Sequence, residues 1–110
     1  SRVSAALAPV VASLRALHGV CSQAVAAHPQ KAREMEDAGK RIGVLFWQLN
    51  QGSLSQGAGG KLVQLCAAME AADYARANAA LASLTSADWD EAAAWLPSLK
   101  RVVKLRQMLV

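Results

Sequence analysis

Few side chains in this sequence are of the types that do chemistry, and their spacing argues against catalysis. Both histidines, His18 and His28, stand apart from any Cys, Ser or Asp that could build a nucleophile or a general base. His18 borders an apolar stripe and should pack or lie half exposed. His28 precedes Pro29 and should be exposed. Cys21 and Cys66 form no CxxC and have no partner at a zinc-binding spacing. Each falls on the apolar face of an expected helix, the usual setting of a buried reduced thiol; a disulfide between helices stays open. Asp88, Asp90 and Glu91 are close enough to suggest paired carboxylates. A helix start explains them better: Asp88 and Glu91 have capping-box spacing, and acids suit the positive end of the helix dipole. Gly59-Gly60-Lys61 resembles part of a phosphate loop, but Leu62 follows where Ser or Thr is required, and no strand precedes. The expectation is no enzyme: no catalytic residues, no cofactor, no metal and no small-molecule substrate.

What remains are residues suited to contact. Lys100, Arg101, Lys104 and Arg106 read as a basic stripe on the last helix, either a solvated face or a protein-contact surface. As an RNA site the stripe is weak, because no exposed aromatics are interleaved with it. The net charge of +4 is mild and is met by solubility alone. Three tryptophans, Trp47, Trp89 and Trp95, are candidate anchors or edge covers. A helix sets Trp89 and Trp95 about 120° apart, so one can be core while the other borders the surface. Trp47 follows Phe46, so both cannot face inward. Trp47 and Trp95 join the four basic residues as the candidate protein-contact set.

These residues need helices to place them. The chain has 110 residues, 54% of them hydrophobic and 5% aromatic, with alanine prominent. Such a composition favours helix, since Ala loses no side-chain entropy there. Leu7, Val10, Val11, Leu14, Leu17, Cys21 and Val25 recur at three- and four-residue steps, which predicts a helix over about 4–27, starting nearer 8 because of Pro9. A second runs over about 29–51, with Met35, Ala38, Ile42, Leu45, Phe46 and Leu49 inward and Gly52 as its stop. Gly39 and Gly43 would admit a neighbouring helix, and Glu36–Lys40 and Asp37–Arg41 are favourable i,i+4 pairs. The glycines of 52–60 predict frayed helix, with Ser55 as a possible cap, before a solid third helix over 61–72. Asp73 recaps the chain for a fourth over 74–84. Trp89, Ala92, Leu96, Leu99 and Val103 share one face of a fifth, which Pro97 should kink or split into 88–95 and 97–109. The fold expected is all-α: a five-helix antiparallel bundle with the last helix kinked or split near Pro97, a single domain over 1–110. No run is long and apolar enough for a membrane span. Without an initiator Met or signal peptide, the chain reads as the excised C-terminus of a longer protein.

The string Leu84-Thr85-Ser86-Ala87-Asp88-Trp89-Asp90-Glu91, followed by Trp95-Leu96 and Leu99-Lys100-Arg101, resembles a known domain. So do Glu34 to Phe46, Leu49-Asn50-Gln51-Gly52 and Lys61 to Cys66. They are similar to the C-terminal domain of the large outer-cage (Sec-thirty-one-type) subunit of the COPII vesicle coat, closest to plant and algal versions. The same domain family includes the steroid receptor RNA activator protein. The resemblance covers about residues 5–108, the first helix in pattern only. It implies a five-helix bundle and a non-catalytic protein-interaction module. It also implies a place at the cytosolic face of ER exit sites and COPII vesicles, supporting coat assembly in ER-to-Golgi transport. The partners implied are other COPII coat subunits, outer-coat elements first, without membrane insertion. The other branch implies an RNA-associated transcriptional co-regulator. Gln56-Gly57-Ala58-Gly59-Gly60 departs from relatives that carry better helix formers there, which again predicts an irregular first turn.

Overall fold

The computed structural model describes residues 5–109. Residue 4, the first position of the broader estimate for the first helix, lies outside the described residues. Among them the chain forms six helices: α1 (Ala8–Ala24), α2 (Pro29–Gln51), α3 (Gln56–Glu70), α4 (Tyr74–Ala87), α5 (Trp89–Ala92) and α6 (Leu96–Met108). The count of five is corrected to six, because the last segment is fully divided. Its break is a turn over 93–95, ahead of Pro97 rather than at it. Pro97 sits in the first turn of α6, where its missing N–H costs nothing.

Most of the expected inward positions of the first three helices are buried, while Leu7, Val11, Leu17 and Phe46 are half-buried at the core's edge. Val10, Leu14 and Cys21 of α1, Met35, Ala38, Ile42, Leu45 and Leu49 of α2, and Leu62, Leu65 and Cys66 of α3 are all in the core. Gly52 ends α2 in the left-handed conformation (φ 68°), and the Gly52 and Ser53 amides donate to the Leu49 and Gln48 carbonyls. Asp73 caps α4 by accepting from the Arg76 amide at 3.1 Å.

Helix directions follow from pairs across the interfaces. Arg15 lies over Phe46 while His18 meets Met35, so α1 and α2 are antiparallel. Trp95 meets Gln48, while Leu105 lines a groove with Met35, so α2 and α6 are antiparallel. Leu7 packs on Gly59, and Val20 lies by Met69, so α1 and α3 run parallel. Asn78 reaches Gln107, and Leu81 lies by Lys100, so α4 opposes α6. Thus α1, α3 and α6 run one way, and α2 and α4 the other. The principal contacts stack them in three layers: α2 lies on α1 and α6, and α1 and α6 lie in turn on α3 and α4.

Two hydrophobic clusters fill these layers. The larger joins α1, the end of α2, the α3–α4 hairpin, α5 and the start of α6, with Trp95 among its largest buried side chains. The smaller holds Cys21, Val25, Met35, Ala38, Ile42 and Val102, where the end of α1, the start of α2 and α6 meet.

The frayed turn expected over 52–60 is corrected: regular helix begins at Gln56. Three contacts offset the glycines' flexibility. The Ser55 hydroxyl accepts from the Ala58 amide at 3.1 Å, the Ser55 amide donates to Glu91 at 3.0 Å, and buried Gly59 lies beneath Leu7. A Cβ at Gly59 would lie 3.3 Å from a Leu7 methyl, so the Leu7 side chain would have to give by a few tenths of an ångström.

Candidate protein-interaction surface

The basic residues are delivered by α6, whose Leu96, Leu99, Val102 and Val103 are buried and so fix which face is left outward. At 100° per residue, Lys100, Arg101, Lys104 and Met108 share that outward side, and Arg106 does not. The structure agrees. Arg101 and Lys104 line a groove between α6 and the start of α2, with Lys31, Glu34, Met35, Leu105 and Met108. Lys100 and Lys104 line a second groove against α4, with Asn78, Leu81 and Ala82. Lys104 is the ridge between the two. Arg106 turns instead to a cleft with Leu17, Val20 and Glu70. The four-residue stripe is therefore corrected to three residues, with Lys31 joining from α2. The sequence signal for Lys31 was present but separated from the others by about 70 positions; no local spacing links them.

Among the described residues, the ion pair formed is Lys61–Asp88. Lys31, Arg101 and Lys104 are thus unpaired cations around an apolar floor. The Glu36–Lys40 and Asp37–Arg41 pairs do not close either, as expected of exposed chains that lose entropy to hold one geometry.

Trp95 is corrected as a contact residue. It is fully buried, and its indole N–H donates to the Gln48 side-chain oxygen at 2.9 Å. Trp89, placed on the inward face by helical spacing, is 45% exposed. The exchange has one cause: α5 lasts a single turn, and the turn over 93–95 resets the helical phase, so no wheel carries from 89 to 96. Trp47 is 60% exposed, as an accessible anchor must be. It lies 12 positions beyond Met35 on α2, about 18 Å along the axis, so the groove and Trp47 are separate places.

The acids of α5 act at a distance rather than as a local cap. No side chain caps α5; the Asp88 carboxylate pairs with Lys61, and Glu91 holds the Ser55 amide. The capping box expected from Asp88 and Glu91 is corrected accordingly. His18 is half buried, and its Nε2–H donates to the Met35 carbonyl at 2.7 Å, with the Ser22 hydroxyl 3.5 Å from the same nitrogen. Its ring fills the space that Gly39 leaves; a Cβ there would fall 2.9 Å from the imidazole. Gly43, the other glycine expected to admit a helix, faces open space. Both cysteines are buried free thiols. Burial pushes both thiols up, opposed at Cys21 by the Arg106 charge. At Cys66 a hydrogen bond from Ser13 opposes the rise and Glu70 adds to it. A protonated thiol is a poor nucleophile. Among the described residues no cluster of ligands for a metal ion occurs, and no helix is long and apolar enough to cross a membrane.

Comparison with known proteins finds a relative in "Protein transport protein SEC31 homolog B" of Arabidopsis thaliana, 41% identical over 111 residues. The chain is homologous to part of that protein. The match takes in 97% of this chain and 10% of the relative, so the chain spans about a tenth of the SEC31 homologue's length. The likeness is to this SEC31-type protein and lends nothing to the steroid receptor RNA activator branch. No family model matches the chain. No solved structure matches it. Since the SEC31 match runs nearly end to end, it takes in α1, where the motifs were weakest, as well as the Trp-Asp-Glu and Leu-Lys-Arg strings of α5 and α6.

Proposed function

We propose that this chain is a non-catalytic protein-interaction module from the C-terminal region of a SEC31-type outer-coat subunit, supporting COPII coat assembly in ER-to-Golgi transport. The observation that carries this reading is the 41% identity held over 97% of the chain to a protein transport protein of SEC31 type. The geometry supports it from the other side. Titratable side chains are dispersed, the thiols are buried and protonated, and the accessible features are unpaired cations beside apolar residues. Those features suit contact with other coat subunits at the cytosolic face of ER exit sites. Lys100, Arg101 and Lys104, with exposed Trp47, are the residues proposed to make it.

The test is reconstitution of the coat on liposomes with a full-length SEC31-type subunit and with the same subunit lacking this segment. Loss or disorder of the outer lattice on deletion is expected. Unchanged assembly would remove the reading. Lys100→Glu, Arg101→Glu and Lys104→Glu together should weaken assembly while leaving the domain folded by circular dichroism.

A further inference from the structure

We propose that the groove between the start of α2 and the end of α6 docks an acidic amphipathic segment of a partner protein. Its floor is apolar: Met35, Leu105 and Met108. Met108 is 68% exposed, the most exposed large hydrophobic side chain among the described residues, and Leu105 is half buried. Its rim is basic: Lys31 from α2 and Arg101 and Lys104 from α6, against the single acid Glu34. None of these three cations is ion-paired in the described structure. Two antiparallel helices with an apolar seam between them offer the shape that receives the apolar face of a third helix, read as anchors at i, i+3, i+4 and i+7. Carboxylates flanking those anchors would meet the unpaired rim, and that complementarity selects an acidic segment over a basic one.

Other occupants fit less well. Single-stranded nucleic acid would want aromatic platforms along the groove; the exposed tryptophans Trp47 and Trp89 lie elsewhere. An anionic bilayer would gain about 1 kcal/mol per cation, but it needs a protruding apolar face rather than a recess. The proposal deepens the coat-module reading and rests on it for the setting. Peptide binding tests the groove, and coat assembly with the segment deleted tests the setting, so the two fail separately.

The probe is a short fluorescein-labelled peptide with leucines at i, i+3, i+4 and i+7 and Asp or Glu elsewhere. It is titrated into the full chain by fluorescence anisotropy. Controls keep the leucines but exchange acids for lysine, or keep the acids but exchange leucines for serine. The acidic leucine peptide should bind at least tenfold more tightly than either control. Met108→Asp, at an exposed position, should weaken it at least tenfold without lowering the melting temperature. Arg101→Glu with Lys104→Glu should weaken it similarly and transfer preference to the lysine peptide. Absence of binding, equal binding of the serine peptide, or indifference to both variants would overturn the proposal. So would tighter, variant-sensitive binding of polyuridine RNA or of phosphatidylserine vesicles.

Discussion

The two ends of this domain are built to different standards. At the α5 end, Trp95, Leu96 and Leu99 pack with Leu14, Leu45, Leu62 and Leu84, every one of them fully buried. Three polar ties close the same end: Trp95 to Gln48, Ser55 to Glu91, and Lys61 to Asp88. At the other end, six buried residues form the small cluster, none of them aromatic. Its ties are the His18 bond to the Met35 carbonyl, an exposed bond from Asn78 to Gln107 at 3.3 Å, and a long contact from the Cys21 thiol to the Val102 carbonyl at 3.6 Å. Stability follows apolar area removed from water. The α5 end therefore carries most of the fold's cohesion, and the thinner end is left with an open groove and unpaired charge. Cohesion and the groove sit at opposite ends, with exposed Trp47 beside Gln48 at the cohesive one.

Substitutions can break this contrast. The largest effect should come from Trp95→Ala, which empties the centre of the large cluster and orphans Gln48; a loss of about 3–5 kcal/mol is expected from urea unfolding. Ile42→Ala in the small cluster should fall at the low end of its class, about 2–3 kcal/mol, because a thin core collapses around the gap more easily. Equal losses at the two sites would erase the difference between ends. Next is Gly39→Ala, whose new methyl meets the His18 ring at 2.9 Å; overpacking of this kind costs about 1–3 kcal/mol. A double-mutant cycle with His18→Ala should recover most of it, and additivity would show that the ring is not what Gly39 accommodates.

Asp88→Asn comes lower. Its pair with Lys61 is only partly shielded, with side chains 14% and 23% exposed, so about 1 kcal/mol or less should be lost. Added salt should diminish the difference.

The thiols report on the two clusters, Cys66 on the larger and Cys21 on the smaller. In the static structure Cys66 is slightly the more accessible, 6% against 0% for Cys21. If local opening governs access, Cys21 at the thin end should nevertheless be alkylated first. Faster modification of Cys66 would reverse the assignment of the weaker cluster. The raised thiols also set a sign for pH. The fold keeps both protons above about pH 8.5, where an unfolded thiol gives its proton up. Unfolding then releases protons, so stability should be full below that pH and decline as pH rises through the folded-state values. The urea midpoint measured on either side of pH 8.5, with and without Cys21→Ala and Cys66→Ala, checks it.

Much of this was legible in the residues. The stripes of α1, α2 and α3 stand out because each helix keeps one phase over at least four turns, and Gly52 and Asp73 punctuate them by local chemistry. Trp89 and Trp95 were misread because a three-residue turn shifts phase without a glycine to announce it. The first turn of α3 was misjudged for a related reason. Its support comes from Glu91, 36 positions away, and from Leu7. The roles of Asp88 and Glu91 are likewise tertiary, and a capping motif is the nearest thing to them that a linear pattern contains. Half of the groove was visible as charge on α6. The other half, Lys31 and Met35, becomes adjacent only when α2 is laid antiparallel to it.

The central layer consists of α1 and α6, the earliest and the latest of the described helices to leave the ribosome. Until α6 emerges, α2 and the α3–α4 hairpin have only half of the surface they are to pack against. Folding during synthesis should then stall at loosely associated hairpins and finish in one late, cooperative step. A nascent chain arrested before Leu96 should remain protease-sensitive throughout, whereas one released past Met108 should become resistant as a whole.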